Sequence, residues 1–189
     1  MRSASRNHLT FSMLDKLFES HKQSRVAPDR STRELVDARK RNRSELRASI
    51  YRYKDKFILC SVAGNTEYGE PLVLATDASD EQLGLALCDQ LLQYTTKENR
   101  DRPKSSLSDW QAYKASGAKS ARSFEENAMF VYVTTVNTAI NIQAAPRVSN
   151  EQELVAQCSI SNGRTHAEMG ATVRKALKAA EVLRDAGML

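Results

Sequence analysis

The sequence has few of the residues from which metal and cofactor sites are built. Its 189 residues include three histidines, three cysteines and seven glycines. No His-x-x-x-His or Cys-x-x-Cys spacing occurs, and no cysteine lies within four residues of a histidine, so neighbouring residues offer no metal site. The glycines are scattered rather than clustered before a helix, which argues against a phosphate-binding loop. We therefore expect no cofactor and no metal.

Long apolar runs are also missing. None approaches the roughly 20 residues of a membrane span, and polar residues interrupt the stretch 9–18, which argues against a secretory signal. Cys60, Cys88 and Cys158 are odd in number and lie inside apolar runs. Free buried thiols are typical of a reducing compartment. The sequence thus predicts a cytoplasmic protein without membrane association and without a disulfide framework.

Charge is distributed unevenly along the chain. The formal net charge is +5, with 15 Lys/Arg against 7 Asp/Glu in residues 1–56 and 13 against 16 in residues 57–189. The basic stretch 30–56 could contact phosphate backbones or an acidic protein, although most charge runs are solvated faces. Only Tyr51 and Tyr53 lie nearby to stack on bases. Nucleic-acid binding is therefore kept as an alternative.

What the chain does contain is one pattern used twice, 86 residues apart, beginning at Ser79 and at Thr165. Each copy opens with a hydroxyl residue followed three positions later by Gln or Glu, the capping box that starts a helix. Apolar residues at helical spacing follow, and an apolar, strand-like run precedes each copy. The sequence thus predicts a strand at 71–75 before a helix at 80–93, and a strand at 154–160 before a helix at 166–183.

Gly84 and Gly170 occupy equivalent positions inside the two repeated helices. A glycine in a helix costs about 0.5–1 kcal/mol relative to alanine. The expected compensation is close packing of both helices against the sheet.

The remaining pattern predicts an α+β (or α/β) fold, a mixed β-sheet with hairpins and packed helices. Helices are expected at 10–22 and 31–47, hairpins at 50–62 and 129–144, and short helices around Trp110 and Phe124. We expect residues 1–49 to form a basic, mostly helical N-terminal extension. Residues 50–189 should form one domain, with two halves joined near 95–106.

Adjacent carboxylates occur only where helices are expected to start, where the helix dipole favours them. They comprise Asp77, Asp80 and Glu81 in one group and Glu125 and Glu126 in another. Nothing in the sequence assembles a nucleophile, a base and an oxyanion donor. No enzymatic activity is therefore predicted.

Three blocks occur in a fixed order: Tyr68-Gly69-Glu70-Pro71 with the first repeat, the segment from Trp110 to Phe124, and Met169-Gly170 in the second repeat. Together they resemble the bacterial immunity proteins of contact-dependent growth inhibition systems, over roughly residues 50–180. The residues that carry the resemblance are mostly apolar or small, which is typical of scaffold. They are Tyr68, Gly69, Pro71, Leu83, Gly84, Trp110, Gly117, Phe124, Met169 and Gly170.

The resemblance implies a binding role rather than a reaction. Such proteins bind the C-terminal domain of a delivered toxin, often a nuclease and in some cases a tRNase, and occlude its active site. The implied partner is thus a toxin protein, without direct nucleic-acid contact. Immunity proteins against basic nucleases tend to be acidic, whereas this chain is basic. The candidate contacts are the acids that could mimic phosphates, Asp77, Asp80, Glu81, Glu125 and Glu126. The alternative is that they serve only their own helix starts, which is the usual role of such acids.

Overall fold

A computed structural model describes residues 30–64, 66–96, 110–148 and 154–187. The helix expected at 10–22 and most of the connector expected at 95–106 lie outside these residues. In chain order the elements are α1 (Arg30–Asn42), β1 (Arg47–Tyr53), β2 (Lys56–Ala63), β3 (Thr66–Ala75), α2 (Asp80–Leu92), α3 (Gln111–Ser116), α4 (Ala121–Asn127), β4 (Met129–Val136), β5 (Ala139–Ala145), β6 (Ala156–Ser161) and α5 (His166–Asp185).

The six strands form one sheet in the order β3-β2-β1-β4-β5-β6, and every neighbouring pair is antiparallel. Two units of three strands and a helix therefore meet at the centre: the first unit is β1–β3 with α2, and the second is β4–β6 with α5. The α+β class, the hairpins and the two repeated units are confirmed. The strand directions are uniformly antiparallel rather than mixed, because consecutive strands of each unit lie side by side as a meander and the central strands β1 and β4 also pair antiparallel.

The main core lies between one face of the sheet, here the front face, and helices α1, α2 and α5. Strand side chains such as Ile50 and Val131 meet helix side chains such as Leu83 and Val173 there. Helix α1 contributes Leu35 and Ala38, both buried.

Part of the expected N-terminal extension therefore packs in this core. The expected boundary between residues 49 and 50 lies inside β1. The reason is that β1 pairs with β4 from Arg47 onward and with β2 from Ala48 onward.

The opposite, back face is covered by α3 and α4 where they lie over the first unit. Phe124 and Ala112 pack there against Tyr51, Ile58 and Cys60. All but the first residue of β2 is buried, because both of its faces are covered. Strand β5 instead alternates over most of its length between buried and partly exposed residues.

Two expected boundaries differ from the structure. Helix α1 ends at Asn42 rather than near 47, since Arg43 adopts a left-handed φ of 48°. Strand β3 begins at Thr66 rather than at residue 71. A register shift opposite Leu59 and Ser61, together with a φ of 77° at Gly69, lets the strand continue through the Tyr68–Pro71 block.

Helices α2 and α5 cross where their glycines lie. A Cβ atom on Gly84 would stand 1.8 Å from the carbonyl oxygen of His166, and one on Gly170 would stand 1.9 Å from that of Asp80. The expectation that these glycines pack against the sheet is wrong. Each glycine admits the first turn of the other helix, because leucine, methionine and valine side chains fill the space above the sheet. The two repeats thus contact each other reciprocally.

Candidate protein-binding surface

A basic groove surrounds the turn between β1 and β2, and we call it the hairpin-end groove. One arm, of about 470 Å³, lies toward α4 and includes Lys119 and Arg184 in its lining. The other arm, of about 420 Å³, lies toward α5 and includes Arg174, Lys178 and Glu181. Both arms share two residues, Arg52 and Lys54. The groove therefore has six cationic side chains and one carboxylate in its lining.

Local chain geometry places these cations. A two-residue turn, Lys54-Asp55, joins the strands, and Lys54 has a left-handed φ of 53°. The Lys54 ammonium lies 5.3 Å from the centre of the Tyr53 ring, within cation–π range. The backbone N–H of Thr76 donates to the carbonyl of Asp55 at 2.8 Å, which ties the loop after β3 to the turn.

The arginines of the groove have carboxylate partners. Arg52 donates to Glu181 at 2.5 Å, and Arg184 lies 3.6 Å from the same carboxylate. Hydrogen bonding from Arg52 is the main reason why the pKa of Glu181 is lowered. Arg174 donates to Asp80 at 2.7 Å and also to the carbonyl of Thr76 at 2.8 Å. Within the described residues, the three lysines of the groove form no ion pair: Lys54, Lys119 and Lys178.

The acids predicted as toxin contacts lie on two sides of this end of the sheet. Asp77 and Glu81 are exposed at the start of α2, whereas Asp80 is held by Arg174. Glu125 and Glu126 lie behind the sheet in the last turn of α4, not at its start as expected. Glu126 forms an exposed i,i+4 pair with Arg122, and the carbonyl of Glu125 accepts the backbone N–H of Val148. The structure does not join the two groups. Their role in binding stays a prediction.

The basic stretch 30–56 does not form one patch. Arg39, near the end of α1, donates to the carbonyl of Asn137 in the β4–β5 turn. Lys54 and Lys56 lie beyond the other end of β1, whose seven residues span about 20 Å. The alternative prediction of nucleic-acid binding therefore concerns two separate basic regions at opposite ends of the sheet.

A second cluster of polar groups, which sequence reasoning missed, lies behind the first unit. The Glu67 carboxylate accepts a hydrogen bond from the Tyr51 hydroxyl and one from Trp110 Nε1, the latter at 2.9 Å. Burial raises the pKa of this carboxyl group, and the two hydrogen bonds oppose that shift. Burial and the neighbouring Glu67 raise the pKa of Tyr51, while burial raises that of the Cys60 thiol. The only sequence signal was a Glu inside a predicted loop.

Aromatic rings surround this cluster. The Trp110 and Phe124 ring centres lie 4.9 Å apart in an edge-on contact, and Tyr51 lies 5.4 Å from Phe124. The cluster thus fixes the chain around α3 and α4 to the sheet, which is a structural role.

The residues of the family resemblance fall into two sets. Leu83, Gly84, Phe124, Met169 and Gly170 are buried, and Trp110 is partly buried. The others are turn or edge positions. Tyr68, Gly69 and Gly117 are exposed, and Pro71 is partly buried. A left-handed φ at two of these positions explains the residue type, 77° at Gly69 and 68° at Gly117.

The described part of the chain contains neither a metal-binding cluster nor a membrane-spanning helix. No group of three or more His, Cys, Asp or Glu side chains in that part could hold a metal ion. No helix among the described residues has the length and apolar character needed to span a membrane.

Comparisons with known proteins give a fold and no family. No family model and no curated protein sequence matches the chain. A protein of unknown function from Neisseria meningitidis matches in structure with a TM-score of 0.55 and 19% identity, over 72% of this chain and 95% of that chain. A chain of the CdiA-CT/CdiI toxin and immunity complex from Yersinia pseudotuberculosis matches with a TM-score of 0.53 and 17% identity, over 71% and 97% respectively. At these identities the likeness shows the fold.

Proposed function

We propose that this chain is an immunity protein of a contact-dependent growth inhibition system, which binds the C-terminal toxin domain and neutralises it without catalysis. The observation that carries the proposal is the match of its fold to a chain of a CdiA-CT/CdiI toxin and immunity complex, over almost the whole of that chain. The three ordered sequence blocks support the same role independently.

Inhibition would be steric and electrostatic. A tight protein–protein interface buries about 1,200–2,000 Å² in total, and a few anchor residues supply most of the affinity. A six-stranded sheet with helices on both faces suits this task, because a preorganised surface loses little conformational entropy on binding. We propose a nuclease, with a tRNase as one candidate, as the toxin. Asp77, Glu81 and Glu126 are the exposed members of the proposed acidic contacts.

The test uses the toxin domain encoded by the open reading frame next to the gene for this chain. Cells expressing that domain should survive when this protein is co-expressed, and the two purified proteins should form a stable complex at submicromolar concentration. A toxin domain from an unrelated system is the control and should remain lethal. If the neighbouring toxin domain kills cells regardless and forms no complex, the proposal is rejected.

A further inference from the structure

We infer that the hairpin-end groove binds an acidic segment of the protein partner, with Lys54 and Lys119 as its principal contacts. This inference rests on the proposed immunity function and names the chemistry of the toxin surface that the protein engages. Its starting point is the charge of the groove, six cations with one carboxylate between them.

Each arginine of the groove forms an ion pair within the described part of the fold, whereas the lysines do not. Arg52 and Arg184 share Glu181, and Arg174 holds the start of α2 through Asp80. Arg184 also lies in the last turn of α5, where a cation offsets the helix dipole. Lys54, Lys119 and Lys178 form no ion pair within the described chain. The charges of Lys54 and Lys119 are therefore available to a partner, whereas the charge of Lys178 helps to lower the pKa of the neighbouring Glu181.

The backbone at Lys54 is an independent observation. A left-handed φ favours Gly, Asn or Asp in a two-residue hairpin turn. The equivalent turn of the second unit has Asn137 there, with a φ of 53°, the same value as at Lys54. A lysine at the first turn is thus not the residue that folding prefers. Its ammonium also lies over the Tyr53 ring, and Lys54 lines both arms of the groove.

The shape and surroundings of the groove favour a protein carboxylate over a nucleic acid. Each arm has the size of a small-molecule pocket, which accommodates a few side chains. Tyr53 is the aromatic residue in the arm toward α4, and it is only 4% exposed, so it offers little surface for base stacking. Exposed acids flank both arms. Asp77 is next to Thr76, which lines the arm toward α5, and Glu126 is next to Asn127, which lines the arm toward α4. Those acids would repel a phosphate backbone but could pair with basic residues beside the partner's acids.

The experiment measures the affinity of the full chain for the neighbouring toxin domain by isothermal titration calorimetry, at low and moderate salt. Lys54→Glu and Lys119→Glu should each weaken binding about tenfold, and the double variant about a hundredfold, with a smaller salt dependence. Lys175→Glu is the matched control, because Lys175 is exposed on α5 outside the groove. It should change the affinity less than about twofold.

Lys54→Asn separates binding from folding. Asparagine tolerates the left-handed φ, so the urea midpoint should be unchanged or higher, while the affinity should still decrease about fivefold to tenfold. An affinity equal to that of the wild type in this variant and in the double Lys54→Glu/Lys119→Glu variant would overturn the inference and leave the immunity function standing. A wild-type protein that does not bind the toxin domain would overturn both. Tight, steeply salt-dependent binding of labelled single-stranded RNA, lost in the double variant, would make the groove a nucleic-acid site instead and equally overturn the inference.

Discussion

The two repeated units share one plan but differ in what surrounds them. In the first unit, β2 is buried on both faces because α3 and α4 cover the back of the sheet. In the second unit, β5 has a mostly alternating pattern, and Gln143 on its back face is only partly buried. The same strand-and-helix plan therefore yields a continuously buried strand in one copy and a strand with alternating burial in the other. Coverage by other elements, rather than the repeat, decides the burial pattern.

The units also differ in the length of their helices. Helix α5 has 20 residues, whereas α2 has 13. The additional seven residues extend α5 by about 10 Å, and its last turns contribute Glu181 and Arg184 beside Arg52. The hairpin-end groove thus depends on the extra length of α5, which α2 lacks. The repeated pattern alone therefore does not predict it.

The largest expected effect tests the additional layer on the first unit. Phe124→Ala removes a fully buried ring that contacts Tyr51, Tyr53 and Trp110. The free energy of unfolding should fall by about 3–5 kcal/mol in urea denaturation. Phe124→Leu is the conservative control and should cost less than about 1.5 kcal/mol. Equal losses for the two variants would show that the ring does not hold the layer in place.

The next effect concerns the crossing of α2 and α5, where Gly84 and Gly170 occupy equivalent positions in the two units. Gly84→Ala and Gly170→Ala each place a Cβ atom within 2 Å of a backbone oxygen that cannot rotate away. Each should destabilise the protein by about 2–3 kcal/mol, despite the better helix propensity of alanine. Gly163→Ala is the control, since its nearest neighbour would be 3.8 Å away. A large difference between the first two variants would break the equivalence of the units.

A smaller expected effect is a pH dependence of the free energy of unfolding that comes from the first unit. The pKa of Glu67, which belongs to the first unit, is raised by burial. The unfolded chain therefore releases this proton at lower pH, so stability is full below the ordinary pKa of Glu and decreases as pH rises toward the folded value. One proton contributes at most about 1.4 kcal/mol per pH unit. Urea midpoints measured across this range should show the decrease.

Two variants sharpen that measurement. Glu67→Gln removes the titrating group and should flatten the decrease. Tyr51→Phe removes a hydrogen bond that lowers the pKa of Glu67, so the decrease should extend to higher pH. An unchanged pH dependence in both variants would show that Glu67 is not the responsible group.

The smallest expected effect tests the shared helix starts. The hydroxyl groups of Ser79 and Thr165 accept N–H groups of Gln82 and Glu168, and both capping boxes are complete. Ser79→Ala and Thr165→Ala should each cost about 1 kcal/mol. Circular dichroism with urea titration should give similar losses. A cost confined to one variant would indicate that the surrounding packing, rather than the cap, holds the other helix.

Much of the fold could be predicted from the sequence, because its signals were local. The helix starts at Asp80 and His166 are where the capping boxes placed them, and the strand beginning at Met129 agrees as well. The prediction failed at the start of β3, expected at residue 71, because pairing with β2 extends the strand back to Thr66. Of the charged residues of the groove, the basic stretch 30–56 included only Arg52 and Lys54, whereas the acids predicted as contacts lie outside its lining, and their role remains a prediction.

The sequence by itself determined the repeated units, their helix caps and the α+β class, since hydroxyl caps and apolar periodicity act over three or four residues. Only the tertiary structure decided what the glycines contact, which carboxylate accepts hydrogen bonds from Tyr51 and Trp110, and where the lysines gather. Gly84 meets His166, Glu67 meets Trp110, and Lys54 shares a groove with Lys119. These partners lie more than 40 residues apart, so their proximity depends on how the sheet brings the two halves of the chain together.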